Sequence, residues 1–151
     1  MKVHPALEVI GGGAGMTIQD SGRPGWKRFG IPPGGAMDAA SASWANRLVG
    51  NPDAAPVLEL AFSGARLRVL RRSEFAVTGA DGDGSHPRWK SFHAVAGEEL
   101  AFGRLRAGVW SYVAVQGGFA APRWFGSASV NPRAGFGAAL GPGARLFRQE
   151  A

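Results

Sequence analysis

Val57-Leu58-Glu59-Leu60-Ala61-Phe62, closed at once by Ser63-Gly64, is the stretch whose reading decides the fold. An apolar run this short, ended by a glycine, fits a buried strand better than a helix, which needs a longer periodic pattern. The same signal recurs downstream. Leu67 with Val69, Phe75 to Thr78, Phe92 to Val95, Glu99 to Phe102 and Trp110 to Val115 all read as short strands. Gly64, Gly79, Gly82, Gly84, Gly97, Gly103, Gly108, Gly117 and Gly118 punctuate them. Short strands at such turn spacing predict a mainly β domain, either a barrel or a sandwich.

Upstream of this stretch the pattern changes. Asp38 to Leu48 has neither glycine nor proline, and Asp38 can cap the first turn, so one helix is expected there. Met37, Ala40, Trp44 and Leu48 recur at spacings of three and four on one face. Gly50 and Asn51-Pro52 end the helix. Before it, Asp20 to Gly35 carries so many glycines and prolines that neither a helix nor a central strand can run through it. A long structured loop is expected, pinned down by Trp26, Phe29 and Ile31. Two more short strands, Ala6 to Ile10 and Met16 to Gln19, flank Gly11-Gly12-Gly13. Gly135 to Gly143 is glycine-rich and reads as a loose segment.

Composition narrows the chemistry. The 151 residues suit one domain and are enough to bury a core without staples. With no cysteine, a disulfide framework, a thiolate zinc site and a cysteine nucleophile are all excluded. His4, His86 and His93 are scattered, so no metal site is expected. The formal charge of +6 is spread over mostly single arginines, which reads as solubility ahead of nucleic-acid binding. No apolar run of about 18 residues is present, so no membrane span is expected. The N-terminal apolar run is broken by glycines and does not resemble a signal peptide, so a cytoplasmic location is the default expectation.

Several polar residues are candidates for a site, and each also has a structural reading. Asp20 and Arg23 can form an ion-paired loop clamp, or present a fork to a carboxylate or carbamate. Gly34 and Gly35 can bring backbone amides to an anion ahead of the helix, or simply make a turn. Asn46 and Asn51 offer donors and acceptors to a urea-like or amide substrate, or close the end of the helix. Glu59 inside an apolar strand calls for a partner, and a buried arginine is the expected one. Asp81-Gly82-Asp83-Gly84 lacks the later ligands of a calcium loop and reads as a hairpin tip. His93 reads as a core or face histidine within a strand, and the tryptophans Trp89, Trp110 and Trp124 read as core or rim aromatics.

In order along the chain stand Thr17-Ile18-Gln19-Asp20-Ser21-Gly22-Arg23, then Gly35-Ala36-Met37-Asp38, then Ala45-Asn46-Arg47-Leu48-Val49-Gly50-Asn51, then Leu58-Glu59 ahead of Ser63-Gly64. Thr78-Gly79-Ala80 and Val115-Gln116-Gly117-Gly118 follow. This succession resembles the family called biotin-dependent carboxyltransferase, allophanate hydrolase subunit 2 or the 5-oxoprolinase C subunit, over about residues 5 to 130. The resemblance implies a cyclophilin-like β-barrel with one or two short helices. It also implies that residues 1–151 form a single domain, the N-terminal half of the family's two-domain chain. One departure stands out: where the family has G-S-R-S-T, this chain has Gly126-Ser127-Ala128-Ser129-Val130.

By the same resemblance, the chain is expected to be a subunit of an ATP-dependent amide-processing enzyme of the 5-oxoprolinase or urea amidolyase/carboxyltransferase kind. It would act on a small amide substrate with a homologous partner subunit of the B type. Biotin would arrive on a carrier and ATP would be handled by the partner. Asp20, Arg23 and Glu59 are then the expected catalytic groups, and Gly34, Gly35, Met37, Asp38, Asn46 and Asn51 the expected substrate contacts. The alternative is a non-catalytic regulatory or binding module of the same family. Neither membrane nor nucleic acid is expected as a partner.

Overall fold

A computed structural model describes residues 2–12 and 15–151. Nine strands form one antiparallel sheet among these residues, and its core path runs β2-β3-β7-β4-β1-β9-β8. In chain order they are β1 (Val3–Gly11), β2 (Met16–Gln19), β3 (Val57–Ala61), β4 (Arg66–Val69), β5 (Ser73–Gly84), β6 (Ser91–Ala94), β7 (Glu99–Val115), β8 (Phe119–Ala120) and β9 (Arg145–Gln149). Strands β5 and β6 branch from β7, and the whole curls into a nearly closed barrel. The expected mainly β architecture is the one that forms. Gly13, part of the expected break after β1, lies outside the described residues.

Strand β7 organises the barrel. The sequence predicts two strands here, but Glu99–Val115 is continuous. Its start pairs with β4, and its end lies between β3 and β5. A strand of this length must bend to serve both neighbours. Its register against β5 shifts three times between Gly79 and Gly84, and each shift is a bulge that turns the pair. Asp81-Gly82-Asp83-Gly84 is therefore bulged strand, not a hairpin tip.

Leu58 and Leu60 of β3 point into the main barrel core with Leu7, Val9, Phe75, Val113 and Phe119. Val57, on the opposite face of β3, packs under the single helix α1 (Ala39–Leu48) with Ala42, Ala45, Ala76, Tyr112 and Ala114. Alanines on the buried face let the helix backbone lie close to the sheet. Of the apolar residues spaced along one face, Met37, Ala40 and Trp44 look outward, and Leu48 alone of the four packs against the helix–sheet core. The helix buries Ser41, Ala42, Ala45 and Asn46 instead. A buried face of such small residues differs little in polarity from the outer face, so apolar spacing points the wrong way.

The long loop before the helix holds only a 3-10 turn at Lys27–Phe29. The glycine-rich C-terminal segment is tied down by backbone bonds: Leu140 donates to Met16 O, and Asn131 and Phe136 bridge each other. His93 lies exposed on β6, and the indoles of Trp110 and Trp124 are half-buried at the rim.

Candidate functional site

The motif-rich loop is a buried lock. Asp20 and Arg23 are only 8% and 1% exposed, and they do not pair with each other. Asp20 accepts hydrogen bonds from Gly22 N (2.8 Å), Ser127 Oγ (2.5 Å), Ser129 Oγ (2.9 Å) and Ala128 N (2.7 Å). Its closest cation is the exposed Arg123, at 3.6 Å. Burial pushes the Asp20 carboxyl upward, but the hydrogen bonds from Ser127, Ala128, Gly22 and Ser129 outweigh it and hold the group below its ordinary value. Arg23 donates to the carbonyls of Trp124 (3.0 Å), Pro32 (3.2 Å) and Ser129. In place of the expected ion-paired clamp or anion fork stand two inward-facing groups that stitch the loop to residues 124–129.

The amides ahead of the helix are occupied as well. Gly35 N donates to Ser129 Oγ, Ala36 N to Asp20 O, Met37 N to Glu59 Oε2 and Asp38 N to the Tyr112 hydroxyl. Of the expected anion cradle at Gly34 and Gly35, the Gly35 amide is thus already taken by Ser129. Gly34, at φ +63°, is required for another reason: a Cβ there would meet Arg23 Nη1 and Ser129 Cβ at 2.9 Å. Asn46 donates to the carbonyls of Asp53 and Ala55, and accepts from Asn51. Asn51 donates to Val115 O and accepts from Gly117 N. The two asparagines fasten the end of the helix to the end of β7.

Glu59 has no arginine partner. It lies opposite Tyr112 in the β3–β7 register, so the two side chains share a face. Tyr112 Oη donates to Glu59 Oε2 at 2.8 Å and accepts from Asp38 N at the same distance. Burial raises the Tyr112 phenol far above its ordinary value, and the adjacent Glu59 carboxylate adds to this against the opposing Asp38 amide. The phenol therefore stays a donor at any ordinary pH. Tyr112 is the only tyrosine of the chain and sits in no motif, so nothing local in the sequence singles it out.

This network sets the entrance of α1 against the sheet and fixes Asp38. The Asp38 carboxylate accepts from Ser41 N (3.1 Å) and Ser41 Oγ (2.5 Å), which caps the helix and settles its rotamer. It lines a cleft of about 410 Å³ with Gly79, Ala80, Asp81, Gly108 and Trp110. The far wall is the bulged β5–β7 pair. A Cβ on Gly79 would lie 2.2 Å from Trp110 O, and one on Gly108 would lie 3.0 Å from Ala80, so only glycine allows this close approach. Of the expected site residues, only Asp38 lines this cleft; the Met37 side chain is exposed and is not part of its lining. Asp81 and Trp110 are additions that strand pairing, not motif, brings in. A second, more enclosed cavity of about 230 Å³ lies elsewhere, lined by Ile18, Pro122, Trp124, Val130 and Leu140, and is mostly apolar. Among the described residues no cluster of His, Asp or Glu can hold a metal ion, and no helix is long and apolar enough to cross a membrane.

Comparison with known proteins agrees with this architecture. The chain is 37% identical over 131 residues to a urea amidolyase of Lachancea kluyveri, covering 83% of this chain and 7% of the relative. It is 37% identical over 127 residues to the 5-oxoprolinase C subunit of Haemophilus influenzae, covering 80% of this chain and 41% of the relative. Among solved structures, TTHA0988 superposes over 97% of this chain and 31% of its own length, at 36% identity and a TM-score of 0.92. The urea amidolyase of K. lactis covers 93% of this chain and 9% of its own, at 31% identity and a TM-score of 0.85. The chain thus spans less than half the length of these relatives. The family described as carboxyltransferase domain, subdomain A and B, matches residues 29–151, and the chain belongs to that family.

Proposed function

We propose that this chain supplies one wall of the substrate cleft in a multi-subunit enzyme that processes a small amide, of the 5-oxoprolinase or urea-carboxylating kind, together with a homologous partner. The observation that carries this reading is the Asp38 carboxylate, oriented by its own helix and open to a glycine-walled cleft, in a chain about 37% identical to proteins of both activities. A carboxylate with fixed orientation and spare lone pairs accepts the N–H of a lactam or urea. Asp20, Arg23, Asn46, Asn51 and Glu59 act as positioning residues, since their polar atoms are engaged within the fold.

The polyphosphate of ATP needs cations or free amides. The cleft presents Asp38 and Asp81, and the amides of Gly35 to Asp38 are bonded internally. These residues do not fit ATP, which supports its assignment to the partner, and biotin on a carrier would likewise be brought by another domain. The non-catalytic alternative draws on the same fact: few of this chain's own polar groups are free to do chemistry.

The test is co-expression with the homologous partner, followed by assays of ATP-dependent 5-oxoproline hydrolysis and biotin-dependent urea carboxylation. One of these activities, lost on Asp38→Ala while the complex still assembles, is the expected result. Neither activity in an assembled complex would favour the regulatory module.

A further inference from the structure

The cleft leaves one prominent surface unexplained. Phe29, Trp26 and Phe125 are 61%, 38% and 47% exposed, yet their rings form one continuous cluster. Trp26 lies 6.0 Å from Phe29 and 4.9 Å from Phe125 between ring centroids, and Phe125 lies 5.9 Å from Phe136. Two segments about a hundred residues apart thus join in one aromatic patch. Phe125 is held at φ 52°, a conformation that costs free energy for a bulky residue and that turns its ring outward. An apolar patch of this kind is unusual on an isolated surface and marks a binding face.

The exposed charge around the patch is of one sign, and the buried Asp20 carboxylate lies 3.6 Å from Arg123 beneath it. Lys27, Arg28, Arg123 and Arg133 stand in the same two segments and are exposed. No Asp or Glu occurs from residue 21 to 37 or from 117 to 149. A second copy of this chain would bring the same cations against themselves across a two-fold contact, which opposes self-association. Single-stranded nucleic acid needs open, stackable ring faces. Here the rings tilt against each other by 50° and 54°, and the Arg28 guanidinium covers Phe29 at 4.8 Å.

We propose that the Trp26–Phe29–Phe125 patch is a docking site for an acidic segment of a partner protein that carries aromatic or aliphatic anchors among its carboxylates. Its apolar groups would fill the spaces between the three rings, and its carboxylates would meet Lys27, Arg28, Arg123 and Arg133. The inference does not depend on the chemistry of the Asp38 cleft.

An array of 15-residue peptides, in which acidic count and apolar content vary independently, tests it with the purified chain. Binding is expected to rise with acidic count, to require at least one aromatic or aliphatic residue, and to weaken at least tenfold between 50 and 300 mM salt, on the order expected for screened surface charges. Trp26→Ser with Phe125→Asn, which keeps a residue tolerant of positive φ at 125, should abolish it at unchanged Tm. Lys27→Glu with Arg28→Glu should shift preference away from acidic peptides. Binding that ignores peptide charge would overturn the proposal. So would tighter binding of a 15-nucleotide oligothymidylate, or a dimer in sedimentation that the aromatic double variant dissolves. Absence of any peptide binding would overturn it too.

Discussion

The loop that contains Asp20 and Arg23 and the cleft that contains Asp38 are adjacent in sequence and opposite in character. In the first, both charged side chains are buried and their hydrogen-bonding capacity is turned inward. In the second, a carboxylate is held only by its own helix and borders open space. The dense run of recognisable residues builds a loop locked to residues 124–129. The place where a substrate can reach the protein is set one step later, where that loop delivers the helix.

The sharpest way to break this comparison is Asp20→Ala. The substitution strips four hydrogen bonds and leaves the buried Ala128 amide and the Ser127 and Ser129 hydroxyls without their acceptor. The expected loss is about 3–5 kcal/mol, the range for deleting one member of a buried charged network. Urea denaturation measures it. The sequence alone would instead expect lost activity in a stable fold, so a folded, inactive Asp20→Ala protein would return Asp20 to the catalytic list.

Tyr112→Phe comes next. It removes the hydroxyl that links Asp38 N to Glu59 while leaving the packed ring in place. A cost of about 1–3 kcal/mol is expected for the unsatisfied buried partners. Activity should fall beyond what stability explains, because the entrance of the helix is no longer pinned to the sheet. An unchanged Tm would show that Glu59 and the loop amides find other partners.

What is legible in the sequence, and what is not, follows the same division. The helix cap at Asp38 and the strand Met16–Gln19 are readable because capping and short-range alternation are local. Three of the four partners of Asp20 lie 107 to 109 residues away, and residues at such a distance leave no mark in spacing. The Glu59–Tyr112 pair depends on strand register, which exists only once β3 and β7 have met. The cleft wall depends on bulges in β5, whose glycines read as turns. The sequence therefore locates the loop and misses the direction its side chains face.

Acid separates the loop from the half-buried His86, which packs on Phe92 and Phe102, more gently. The Asp20 carboxyl is held below its ordinary value in the folded chain, so its contribution is complete above the unfolded value, about 3.9, and is lost as pH falls through the folded one. His86 acts in a higher window. Burial, with Arg88 nearby, lowers its pKa from 6.5 to about 4. The unfolded chain therefore binds the extra proton first, and stability declines as pH falls from 6.5 towards 4. Urea midpoints followed from neutral pH to below the ordinary Asp value of about 3.9 should fall in two stages. His86→Phe should flatten the upper stage, and Asp20→Asn the lower.

The smallest change in stability carries the most information about the site. Asp38→Ala removes a helix cap, worth about 1 kcal/mol, whereas Asp38→Asn keeps a capping oxygen and should cost a few tenths at most. The amide nevertheless removes the negative charge from the cleft and offers donors where the carboxylate offered only acceptors. If Asp38 receives the N–H of an amide substrate, Asp38→Asn loses activity in the assembled enzyme with its unfolding curve almost unmoved. If Asp38 is only a cap, activity follows stability, and the alanine variant is the more damaged of the two. The asparagine variant thus separates the two readings by a reversal of order, which no change in the overall strength of the fold can mimic.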